Sequence, residues 1–104
     1  NVNSRWMAAV YLLSSNATLW QRIRPAVTPG SIAFDAVTPG NASVKEYTLY
    51  RAAKGIYHGR LGAAADELAD DELVGDDTLL MILNAALIAR FGPKVMEIGK
   101  GDRV

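Results

Sequence analysis

Not one cysteine occurs in the 104 residues. Disulfides, zinc–thiolate sites and thiol nucleophiles are excluded with it, and a chain that folds without disulfides suits the cytoplasm. Histidine occurs once, at position 58, so no pair of imidazoles can hold a metal within one copy. Surplus charge of either sign is missing too. Eleven basic and eleven acidic side chains cancel, which argues against a general nucleic-acid or membrane-surface binder. No apolar run reaches the roughly 20 residues that a membrane helix needs. A signal-peptide pattern, a glycine-rich phosphate loop and a Ser/His/Asp arrangement are also lacking. The chain opens at Asn1 rather than at a methionine, which leaves room for residues upstream.

What is present is apolar surface, half of the residues, in a length that suits one domain over 1–104. The densest stretch is TLLMILNAALIARF, Thr78 to Phe91, followed by Gly92 and Pro93. It is apolar on nearly every side of a helical wheel, as in a helix enclosed by others. At about 1.5 Å per residue it spans roughly 20 Å, too short for a hydrocarbon core of ~30 Å. Asp76 and Asp77 are placed to supply N-cap oxygens, and Gly92 suits a left-handed residue at the carboxyl end. The expectation is a central core helix over 78–91. Its apolar store is usable only if other helices wrap it, or a second copy does.

The remaining segments supply the wrapping. Ser4 to Ser14 carries Trp6, Met7, Ala9, Val10, Tyr11 and Leu13 at helical spacing, with Ser4 as the expected N-cap. Asn16 is the expected cap of a second helix that buries Leu19, Trp20 and Ile23 and turns Gln21, Arg22 and Arg24 outward. Pro25 ends it. The pentapeptide AVTPG occurs at Ala26–Gly30 and at Ala36–Gly40, which predicts two similar Pro-Gly turns. Residues 25–43 read as a long loop pinned by Ile32 and Phe34, with a two-stranded ribbon expected between 31–37 and 94–98. Ser43 and Glu46 form a capping box that starts a helix running to about His58. Leu49, Tyr50, Ala52, Ala53, Ile56 and Tyr57 share one side of it and are expected to face the 78–91 helix. Residues 63–74 read as one short helix or two turns, and 99–104 as a tail. The fold class is therefore mainly α, four to five helices around 78–91 with a minor ribbon.

Four side chains form the sharpest candidate site. Tyr47, Arg51, Lys54 and His58 fall within about 60° on one helix face, a set able to bind a phosphate, a carboxylate or a nucleic-acid backbone. The same set is what the solvated face of an amphipathic helix contains. Charge is uneven along the chain: residues 66–77 hold seven acidic and no basic side chains, whereas 1–65 hold seven basic and two acidic. The acidic run fails the calcium-loop pattern, since Val74 would occupy a ligand position when Gly75 is set at the invariant glycine. Glu67, Asp70 and Asp71 suit a metal-dependent hydrolase only if a second helix brings matching carboxylates. The run can instead dock on Arg51, Lys54 and Arg60 within the chain, or on another copy. Asn84 interrupts the 78–91 helix, with Tyr11 the expected partner for its amide. Helices one and two also admit a DNA-reading pair using Gln21, Arg22 and Arg24, although the second is short and the chain neutral.

The segments EYTLYRAAKGIYHG, ELADDELVGDDTLLMILNAALIARFG and AVYLLSSNATLW together resemble small helical proteins encoded in bacterial and phage genomes, of a type classed as domains of unknown function. The resemblance implies a mostly helical cytoplasmic protein and transfers no functional residue. The function expected is a non-enzymatic protein-interaction or regulatory module whose partner is protein, a second copy in a homodimer or another chain, with no cofactor, metal or membrane. Anion or nucleic-acid binding through Tyr47, Arg51, Lys54 and His58 is the alternative, and the hydrolase the second.

Overall fold

The computed structural model describes residues 2–37, 40, 42–59, 65–72 and 74–92. Among them the chain forms five α-helices: α1 (Val2–Ser14), α2 (Ala17–Ile23), α3 (Val44–Tyr57), α4 (Ala65–Ala69) and α5 (Asp76–Phe91). Between α2 and α3 lie two strands, β1 (Val27–Thr28) and β2 (Ser31–Ile32), flanked by 3-10 turns at Arg24–Ala26 and Phe34–Ala36. The mainly α class with a minor ribbon is as the patterning predicts.

The centre is not where the apolar density of the sequence puts it. Helix α1 lies between α3 and α5, touching both far more than they touch each other. Ala8, Ala9, Leu12 and Leu13 of α1 are fully buried. The two alanines keep that helix narrow, so a neighbour can approach on either side. Of α5, Thr78, Ile82 and Ala85 are buried, while Leu80, Leu83 and Leu87 are exposed. The expectation that 78–91 forms the central helix is thus corrected: α5 is an outer helix with one covered side. Among the described residues, no helix lies over its other side. The inward face of α3, from Leu49 to Ile56, accordingly packs mainly on α1.

Two of the expected helix starts form as the sequence predicts. Asn16 accepts the Leu19 amide at 2.9 Å and starts α2. Both halves of the capping box form, Ser43 Oγ accepting from Glu46 N at 3.1 Å and Glu46 Oε1 from Ser43 N at 3.0 Å. Asp76 and Asp77 are corrected from caps to first-turn residues. The N-cap is Gly75, which makes no side-chain cap bond. Ser4 is likewise inside α1, which begins at Val2.

The first AVTPG copy makes the ribbon. Thr28 pairs with Ser31 and Val27 with Ile32, antiparallel across Pro29-Gly30. Gly30 has φ +79°, as position three of a type II turn requires. The ribbon partner is therefore 27–28, the strand adjacent in sequence. The expected partner 94–98 lies outside the described residues, as does the 99–104 tail. The Trp6 indole donates to the carbonyls of Thr28 at 2.9 Å and Ser31 at 3.3 Å, tying the turn to α1. Ile32 and Phe34 are buried as expected. Tyr50 Oη donates to Phe34 O at 3.2 Å, and Tyr57 Oη accepts from Ile32 N at 3.3 Å. Phe34 meets the Tyr50 ring edge-on at 5.7 Å between centroids. Two tyrosines of α3 thus hold residues 32–34 in place.

Gly92 closes α5 with φ +61° and its N–H bonded to Ile88 O at 2.6 Å. A Cβ built there would lie 2.7 Å from the buried Ser4 Oγ. Gly92→Ala should therefore lower stability in urea unfolding by about 1–3 kcal/mol from the backbone alone, since φ +61° with ψ −140° is a region that side chains hardly adopt, plus a steric share. In a double-mutant cycle with Ser4→Ala, the steric share should disappear and the backbone share remain. Additive costs would show that Ser4 and Gly92 do not meet.

Candidate functional site

Helix α3 places the four predicted residues in a line, as the capping box and the apolar spacing require. They do not converge on one point. Arg51 Nη1 donates to Glu67 Oε2 of α4 at 3.2 Å, and its guanidinium lies 5.9 Å from the Tyr47 ring centroid. Lys54 Nζ stands 3.6 Å from Asp35 Oδ1, in the turn after β2. His58, exposed at the end of α3, has its ring 5.2 Å from Tyr57 and 6.1 Å from Phe34. Each cation is already opposite a carboxylate.

The acidic segment does reach the basic helix, through Arg51–Glu67. A second link joins the starts of α3 and α5, where Lys45 Nζ donates to Asp77 Oδ2 at 2.7 Å. Arg60 lies outside the described residues. Lys45–Asp77 is mostly exposed and Arg51–Glu67 half-buried yet still open to water, so each adds only ~0–1 kcal/mol while orienting the helices. Beside Arg51–Glu67 opens a cleft of about 290 Å³, walled by Val44, Tyr47 and Thr48 and floored by Val74. That is at the lower limit for a small-molecule pocket, and its two charged groups satisfy each other. Glu67, Asp70 and Asp71 are not gathered for a metal. Glu67 serves Arg51, Asp70 Oδ1 accepts the Glu72 amide at 2.9 Å, and Asp71 is exposed. Gln21, Arg22 and Arg24 are exposed as expected, on and just after a helix of seven residues.

The surface that sequence reasoning missed is apolar. Leu80, Leu83 and Leu87 of α5 are 60%, 49% and 45% exposed. Their spacing of three and four residues sets them in one stripe, opposite Thr78, Ile82 and Ala85. Each leaves about half of its ~1.5–3 kcal/mol of burial energy unrealised. The stripe has charged ends, Asp76 in the first turn and Arg90 in the last, with the Arg90 guanidinium 5.4 Å from the Phe91 ring centroid. Asn84 sits at its edge, its amide donating to Tyr11 Oη at 3.2 Å, the partner expected from sequence. The i, i+3, i+7 leucines were legible beforehand. What hid them was the apolar residues on the other side of the same helix.

One group here is electrostatically perturbed. The Lys45 ammonium beside Asp77, then the Thr78 amide on its other oxygen, hold the Asp77 carboxyl below its ordinary 3.8. The folded chain therefore binds this proton more weakly than the unfolded chain, and the stabilisation is present above pH 3.8 and lost as pH falls through the lower folded value. Chemical denaturation of Asp77→Asn beside the parent should show a deficit at neutral pH that closes in acid. A deficit independent of pH would contradict the pairing.

Comparison with protein-family models, curated proteins and solved structures finds no match.

Proposed function

We propose that this chain is a non-enzymatic protein-interaction or regulatory module of the cytoplasm, and that it binds protein, itself or another, through the outward face of α5. The observation that carries this reading is the row of Leu80, Leu83 and Leu87, three large side chains left half in water on one helix. Single exposed leucines are ordinary, but an aligned set with polar ends is what an interface offers before its partner arrives. The rest of the described surface supports the same conclusion. An anion on α3 would first have to displace Glu67 from Arg51 and Asp35 from Lys54, and the chain has no net positive charge to attract it.

A photo-crosslinking side chain at position 83 or 87 should trap protein adducts in cells, whereas the same group at exposed Gln21 should give few. Equal yields at all three positions, or none at 83 and 87, would remove the basis for the assignment.

A further inference from the structure

The α5 stripe carries its own complement. Asp76, Leu80, Leu83, Leu87 and Arg90 fall within about 80° on the exposed side of the helix. Asp76 and Arg90 each stand seven residues from Leu83. Parallel copies would bring like charges and like dipole ends together. Antiparallel copies bring unlike ends together at both ends of the contact. A twofold axis beside Leu83 sets Leu80 of one copy against Leu87 of the other. In the same register, Asp76 falls within one residue's rise, about 1.5 Å, of Arg90. Apolar and ionic registers therefore agree. A contact of this kind uses the same patch on both copies and closes on itself, so it yields a dimer and not a fibre.

We propose that the partner of α5 is a second copy of this chain, packed antiparallel about a twofold axis at Leu83. The proposal rests on the reading of α5 as an interaction surface and adds the identity and orientation of what covers it. Asn84 flanks the seam with its amide held by Tyr11 of its own chain, so an apolar neighbour does not strand that group.

The absence of cysteine makes orientation measurable, because any introduced thiol is unique. Sedimentation of the whole protein over a wide concentration range should show a monomer–dimer equilibrium. Leu83→Glu, which puts two carboxylates at the axis, should weaken it by about a hundredfold or more while the fold is kept. Asp76→Arg alone and Arg90→Asp alone should each weaken it by about tenfold, and the two together should restore it. On mild oxidation, Asp76→Cys mixed with Arg90→Cys should cross-link, and Asp76→Cys by itself should not. Three results would overturn the proposal: a monomer at every concentration, a dimer unaffected by Leu83→Glu, or Asp76→Cys linking to itself. A monomer that still yields adducts with other proteins from position 83 would end self-association and leave the interaction reading intact.

Discussion

The contact on which the rest depends is the close seating of α1 between α3 and α5. Ala8 and Ala9 contribute almost no width, and Leu12 and Leu13 fill the space beyond them. At the far end of the same contact, Ser4 sits where only the missing Cβ of Gly92 leaves room. A narrow helix with a neighbour on each side consumes the apolar capacity of a short chain. Among the described residues, no further helix covers the outer side of α5.

The connection between α2 and α3 is ordered by that same frame. Phe34 enters the core, and the hydroxyls of Tyr50 and Tyr57 reach backbone groups of residues 32–37. Buried phenols need such partners, and a loop with few backbone bonds of its own needs such donors and acceptors. Trp6 does the same for the hairpin turn. Three aromatic side chains thus replace the hydrogen bonds that a longer sheet would have supplied.

Polar chemistry on the described surface is mostly internal. Lys45 and Asp77, Arg51 and Glu67, and Lys54 and Asp35 each link two separate segments. They orient more than they stabilise, since water screens all of them. Of the large apolar side chains left exposed, Val44 and Tyr47 stand beside the cleft at the start of α3, and Leu80, Leu83 and Leu87 form one row on α5. That row is why the functional reading rests on α5 and not on the cationic line of α3.

The amino-acid sequence determined by itself much of what depends on a few neighbouring residues, although the cap positions expected at Ser4 and Asp76 fell inside their helices. Helix starts at Asn16 and Ser43, the positive φ of Gly30 and Gly92, and the inward sides of α2 and α3 all follow from local hydrogen bonding and steric exclusion. The Tyr11–Asn84 pair was also legible, although Asn84 lies at the exposed edge of α5 and not inside the core. Only the tertiary structure decided which helix is central, which carboxylate meets Arg51 and Lys54, and which side of α5 stays wet. Apolar content states how much surface a helix can bury. Which part of it is buried depends on how many neighbours the folded chain can bring to it, and that is a property of the whole arrangement.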